Sequence, residues 1–350
     1  MPATLVTAAP RAGLRRRIVG IYGLLAALNL GAWAWAFAAF HGQPLLLSTG
    51  LLAYGFGLRH AVDADHIAAI DNVTRKLMQE GRRPVAVGLF FALGHSTVVL
   101  LVAALVAATA TALQGQFEAM KGIGGLIGTG VSAAFLLLVA AMNLAILRGV
   151  WRTFRQVRAG GGYAEEDLNL LLSGRGLLAR MFRPLFRLVS ASWHMFPVGF
   201  LFGLGFDTAT EVSLLGISAT QAASGLPVWS ILVFPALFAA GMALVDTTDG
   251  VLMLGAYDWA FVRPVRKLWY NLTITLMSVV VAVLIGGIEA LGLIGDGLGL
   301  EGPFWGFIGG LNDNFGGLGF AIIGVFVASW VLSAVIYKAK GYDRLDAGLT

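Results

Sequence analysis

Apolar runs of about 20 residues, the length of a helix that crosses a bilayer, recur eight times along this chain. They fall at 18–40, 45–70, 85–109, 123–147, 194–217, 228–254, 270–294 and 317–338. The pattern predicts an all-α, polytopic membrane protein with eight transmembrane helices. The first run follows Arg15, Arg16 and Arg17 as a secretory signal would. It is too long for a signal and seven more spans follow, so it is read as a retained first helix. The polar segments then divide the chain into a basic N-terminus at 1–17, helices one to four over 18–147, an inner loop at 148–193, helices five to eight over 194–338 and a tail at 339–350.

Composition agrees with a bilayer as the solvent. Of 350 residues, 58% are hydrophobic and 12% charged, whereas a soluble domain carries about 25% charge. A soluble fold of this size could not hide so many apolar residues from water, which excludes a soluble enzyme and a nucleic-acid module. The net charge of +5 is therefore read by position. Basic residues cluster at Arg11 to Arg17, at Arg75, Lys76, Arg82 and Arg83, from Arg148 to Arg187, at Arg263, Arg266 and Lys267, and at Lys338, Lys340 and Arg344. The opposite loops hold only Lys121. This alternation supports eight spans and places both termini in the cytoplasm. Cysteine is absent, which excludes a disulfide framework and a thiolate metal site. Within the inner loop, Leu177 to Val189 interleaves apolar residues with Arg180, Arg183 and Arg187. It reads equally as a basic amphipathic stretch on the membrane face and as a plain connector. The Gly-rich outer loop at 295–316, with Asp296, Glu301 and Asp313, is expected to be a flexible connector in preference to an acidic vestibule.

Charges at bilayer depth cost about 2.5–3.5 kcal/mol each on insertion scales, so those inside the spans need a partner or a task. Span two carries Arg59, His60, Asp63, Asp65 and His66; span three carries His95, Ser96 and Thr97. Span five carries Asp207, Thr208, Thr210 and Glu211, and span six Asp246, Thr247, Thr248 and Asp249. On a regular helical wheel His60, Asp63 and His66 share one face and Asp65 does not. Asp207 and Glu211 stack at i, i+4, and Asp246 and Asp249 at i, i+3. Arg59 is the only strongly basic group read as lying well inside a span, so the excess buried charge is negative and calls for a cation. Imidazoles with carboxylates and no sulfur suit a borderline divalent metal such as Ni²⁺ or Co²⁺; an all-oxygen site would suit Mg²⁺ or Ca²⁺. A lone membrane histidine is more often a helix-to-helix hydrogen bonder. Two His and two Asp within seven residues favour metal binding at His60 and His66, and His95 is read the same way. For Asp207, Glu211, Asp246 and Asp249, ligand, proton relay and structural ion pair remain open.

The 47 glycines let membrane helices approach closely. Gly55, Gly57, Gly94, Gly203, Gly205 and Gly241 lie beside the polar clusters, where packing is the first reading and local unwinding the second. Trp33, Trp35, Trp151 and Trp193 fall near span ends, as interface anchors do. An internal echo links F-G-L-R-H-A-V-D at 56–63 with F-G-L-G-F-D at 202–207, and L-F-F-A-L-G-H with A-L-F-A-A-G-M in spans three and six. With spans two and five running in opposite directions, the echo fits an inverted three-helix repeat.

Four motifs in order, R-H-A-V-D-A-D-H-I at 59–67, L-G-H-S-T-V-V at 93–99, L-G-F-D-T-A-T-E at 204–211 and G-M-A-L-V-D-T-T-D-G at 241–250, resemble the nickel/cobalt transporter family. The resemblance spans essentially the whole chain and implies eight helices with cytoplasmic termini. Its H-x4-D-H signature falls on His60, Asp65 and His66. That implies a role for Asp65 and therefore an irregular span two. Asn29 and Val62 match positions tied to metal preference in the family and resemble its nickel-preferring members.

The expectation is a secondary permease importing Ni²⁺, with Co²⁺ the close alternative. The metal is substrate, no cofactor is expected, and the partners are the divalent ion and the lipid bilayer, without nucleic acid. There is no G-x-x-x-x-G-K-[ST] loop, so no ATP is expected to act on this chain. Neutral His60, His66 and His95 would replace water around the ion, and Asp63 and Asp65 would offset its charge. Binding is expected to weaken as histidines protonate near about pH 6.5. An efflux transporter is the alternative. Its relatives often carry a His-rich loop, whereas 148–193 holds no His before His194. An enzyme is not expected: H-E-x-x-H is absent, and five histidines are too few for a membrane di-iron centre.

Overall fold

The computed structural model describes residues 9–109, 114–158, 189–205, 209–260 and 264–340. The described residues are helical, with no strand among them. Helix α1 spans Ala9–Ala39, α2 Pro44–His60, α3 Ala64–Gln79, α4 Val87–Thr109 and α5 Gln114–Arg158. After a 3-10 turn at Ser192–His194 come α6 at Met195–Phe202, α7 at Ala209–Ala223 and α8 at Val228–Ile231. Then follow α9 at Val233–Ala260, α10 at Pro264–Leu298, α11 at Pro303–Asn312 and α12 at Phe315–Ala339. Among the described residues, six stretches are long and apolar enough to cross a membrane, and a seventh arises if α2 and α3, bent by 52°, count as one broken span. The fifth expected span, 194–217, covers α6 and the first part of α7, helices 8 and 15 residues long.

Helix α3 sits at the centre, packed by α4, α5, α9, α10 and α12. Ile67, Ala68, Ile70, Val73 and Leu77 meet Phe91, Leu136, Ala140, Met195, Phe202 and Ile285 in one buried cluster. A second cluster joins α1, α2 and α9 through Leu25, Phe40, Ala53, Phe234 and Phe238. Glycine makes this closeness feasible: a β-carbon at Gly57 would collide with the carbonyl of Phe238, and one at Gly88 with that of Asp246. Helix α12, by contrast, exposes Phe320, Val327, Val331 and Leu332, an apolar face suited to lipid.

Three expectations are corrected. Span two does not end at residue 70; its helix continues to Gln79. Arg75 and Lys76, read as loop charges, lie on that helix and are buried, so Arg59 is not the only basic residue carried on the helices of span two. The reason is local compensation: Lys76 donates to the carbonyl of Val189, and Arg75 meets hydroxyl and amide oxygens. The connector at 295–316 is largely helix. Pro303 supplies the preset φ of a first helical residue, after Gly302 turns the chain at φ 122°. Of the stretch Leu177 to Val189, all but Val189 lies outside the described residues.

Candidate metal centre

The site forms where α2 breaks. After His60 the chain makes two tight turns, with Val62 N donating to Arg59 O at 3.0 Å and Asp63 N to His60 O at 2.9 Å. Asp63 is extended at ψ 146° and α3 restarts at Ala64. Helix α12 holds this break. Gly319 lies against the Val62 carbonyl, and Gly316 lies beside Asp63 and Arg59, where larger residues would collide. The break thus ends one helix on His60 and places His66 in the first turn of the next. On a regular helix His60, Asp63 and His66 would share one face; the chain instead has the irregular span two that the signature implied, and the bend brings the two imidazoles together with ring centroids 4.7 Å apart.

His95 of α4 completes the cluster. One nitrogen from each of His60, His66 and His95 lies within 4.8 Å of the other two, and the three side chains are 2%, 0% and 3% exposed. His60 Nε2 is 3.0 Å from His95 Nε2. Glu211 of α7 places Oε1 2.8 Å from His95 Nε2 and 3.8 Å from His60 Nε2. Asp246 of α9 faces His66 Nδ1 with both oxygens at 3.3 Å. On its other edge His60 Nδ1 contacts Asp63 Oδ2 at 2.9 Å and Thr210 Oγ1 at 3.3 Å. Phe91 packs edge-on to His66, and Phe238 lies 5.4 Å from His60, so aromatic rings flank the imidazole cluster. Neither His66 Nε2 nor His95 Nδ1 has a hydrogen-bond partner among the described residues. Buried polar atoms are seldom left so. Such a set can bind a divalent cation of intermediate softness, because neutral imidazoles offer lone pairs and the carboxylates offset charge.

The other sequence candidates are dispersed. Asp65 is half-buried in the first turn of α3, within electrostatic reach of His66 and His95. Asp249 stands one turn beyond Asp246, near Asp71, and not against the imidazoles. Asp207 lies outside the described residues. Asn29 is remote from the histidines: it accepts from Tyr54 OH at 2.9 Å and donates to the carbonyl of Ala240 at 3.3 Å, tying α1 to α2 and α9. Val62 lies in the break itself. Sequence reasoning did not single out Thr210 as a contact, although it adjoins Glu211. Phe91 and Phe238 were invisible as apolar residues among many.

Comparison with known proteins decides the family. The profile described as high-affinity nickel-transport protein (NicO) matches residues 46–336. This chain belongs to that family. It is 60% identical over 329 residues to the high-affinity nickel transport protein of Cupriavidus necator, covering 94% of each chain. It is 57% identical to the hydrogenase nickel incorporation protein HupN of Bradyrhizobium diazoefficiens, over 94% of this chain and 84% of the relative. It is 42% identical to the cobalt transport protein NhlF of Rhodococcus rhodochrous, over 90% and 91%. No solved structure matches the chain. Membership of the nickel-transport family makes the protein a membrane transporter of nickel, with the ion as its substrate, and not an enzyme.

Proposed function

We propose that the chain is a secondary permease that carries Ni²⁺ inward across the cytoplasmic membrane, with Co²⁺ an alternative substrate. The observation that carries the reading is the convergence of His60, His66 and His95 within 4.8 Å, with two of their nitrogens lacking partners among the described residues. The three imidazoles take over part of the ion's water shell. Glu211 and Asp246 offset its charge, and Asp63 with Thr210 orients the His60 ring, as outer hydrogen bonds do around metal-binding histidines. Asp65 contributes through its field, and Asp207 and Asp249 belong to the route or to proton exchange. The potential drives the ion: about 2.3 kcal/mol per charge per 100 mV gives about 4.6 kcal/mol for a divalent cation.

In this reading both termini are cytoplasmic and the membrane is crossed eight times, with α6 and α7 together forming the remaining crossing. An inverted repeat is favoured by the position of the echoed segments. The first lies where α2 stops at His60, and the second begins where α6 stops at Phe202. Val62 and Asn29 tune metal preference indirectly, Val62 through the geometry of the break and Asn29 by fixing α2 and α9, which carry His60 and Asp246.

The test is uptake of radioactive Ni²⁺ by cells producing the chain, with excess Co²⁺, Zn²⁺ or Mg²⁺ as competitors and His66→Ala in parallel, membrane insertion being verified. Saturable uptake blocked by Co²⁺ but not Mg²⁺, and lost in His66→Ala, is expected. Reduced accumulation in producing cells would point to efflux instead.

A further inference from the structure

Beyond the histidines, α3 carries a second buried polar assembly. Asp71 and Arg75 follow His66 by about 8 and 14 Å of helix at the usual rise of about 1.5 Å per residue. Arg75 is wholly buried. Its Nε donates to Ser278 Oγ at 3.2 Å, Nη1 to Thr275 Oγ1 at 3.1 Å and Nη2 to Asn72 Oδ1 at 3.1 Å. Asn143 of α5 also donates to Asn72 Oδ1, at 2.7 Å. Ser278 donates in turn to Asp71 Oδ2 at 2.8 Å, and Tyr257 of α9 donates to Asp71 Oδ1. One hydroxyl, that of Ser278, thus links the guanidinium to the carboxylate. The assembly draws side chains from α3, α5, α9 and α10.

Its place is informative. Helices α3 and α9 each carry a metal-centre residue, His66 and Asp246, and then converge again on Asp71, Arg75 and Tyr257. On the other side of the centre the group next to His60, Arg59, is exposed. In the direction of α3, the centre is followed by a buried guanidinium and carboxylate joined through Ser278. Neutral residues would tie four helices together at lower desolvation cost than a buried guanidinium. A cation in that place does something a neutral tie cannot: it competes with a divalent ion for the Asp71 carboxylate.

We propose that Arg75, anchored through Ser278 to Asp71, is the inner barrier of the transport route, a tethered cation that must swing aside before the metal leaves for the cytoplasm. This rests on the permease reading above. In the closed arrangement the guanidinium lies one hydroxyl away from Asp71, held there by Ser278. When the metal leaves the histidines, its charge and that of Arg75 compete for the same carboxylate, and the guanidinium gives up its bonds to Thr275 and Ser278 to let the ion pass.

The chain has no cysteine, which makes the barrier measurable. Thr247 follows Asp246, is 1% exposed and has a hydroxyl without a hydrogen-bond partner among the described residues. Thr247→Cys therefore sets a single thiol at the level of the centre. Its labelling by a membrane-impermeant thiol reagent is followed in right-side-out and inside-out vesicles, with radioactive Ni²⁺ binding measured on the same proteins after purification. Arg75→Gln is expected to raise cytoplasmic-side labelling at least tenfold, leave outer-side labelling unchanged and keep Ni²⁺ affinity within about threefold. The neutral pair Asp71→Asn with Arg75→Gln, which leaves no lone buried carboxylate, is expected to do the same. Unchanged labelling in both variants with binding intact would overturn the proposal and leave Arg75 a structural tie. Loss of binding in both, with the Thr247→Cys parent still binding, would overturn it too, because Arg75 would then support the centre and not bar the route. A parent and an unsubstituted chain that both fail to bind Ni²⁺ would instead sink the permease reading.

Discussion

His95 Nε2 is shared: Glu211 and His60 both approach it, at 2.8 and 3.0 Å. Without metal, one proton on this nitrogen can satisfy the carboxylate while His60 accepts or turns away. A cation bound at this nitrogen would require its proton to move to Nδ1 or leave, so binding competes with protonation of the ring. His66→Ala or His95→Ala should therefore lower Ni²⁺ affinity at least about a hundredfold in equilibrium binding to purified protein; a change under threefold would remove the residue from the ligand set. Thr210→Val and Asp63→Asn touch only the far edge of His60. Outer-sphere partners of metal-binding histidines are typically worth about 10–100-fold in affinity, and losses in that range are expected, smaller than for the imidazoles themselves. At this scale the sequence was informative where chemistry is rare. A histidine or carboxylate in an apolar span is conspicuous, because burial without a partner is costly. Asn29, by contrast, carries a rare side chain but lies at a helix junction away from the imidazoles, and nothing local to it says so.

The bend between α2 and α3 is the element on which the centre depends. Its exposed peptide groups at membrane depth are tolerable only where protein covers them, and α12 supplies that cover through Gly316 and Gly319. Gly319→Leu is expected to push α12 off the Val62 carbonyl, cost about 1–3 kcal/mol as overpacking does and weaken Ni²⁺ binding by moving His60 relative to His66. Gly324→Leu, on the same helix but facing open space, should leave thermal stability and binding unchanged. Equal effects of the two would mean that the break does not need α12. The apolar pattern located span two but ended it at residue 70, since Asp71, Arg75 and Lys76 look like loop residues. Only their partners on α9 and α10 and the carbonyl of Val189 make a helix to Gln79 affordable.

For the whole molecule, the charge alternation gives a testable orientation. In the cysteine-free chain, His41→Cys in the short connection before α2 should be labelled from outside the cell and Arg82→Cys from the cytoplasmic side. The reverse sidedness would invert the route and make the Arg75 barrier an outer one. Hydropathy and composition by themselves determined that the chain is an all-helical membrane protein, because burial in lipid demands long apolar helices whatever their arrangement. The motifs by themselves determined the family and the residue types of the centre, since only a few side chains can serve a divalent cation in an apolar span. Tertiary structure decided the rest: that His60 and His66 meet across a bend, that Glu211 and Asp246 close on them while Asp249 does not, and that Arg75 lies buried beneath the centre. These are contacts between residues up to about 200 positions apart, such as Arg75 with Ser278. No local pattern encodes which helices will face each other, because packing of small residues and pairing of buried polar groups settle it over the whole bundle at once.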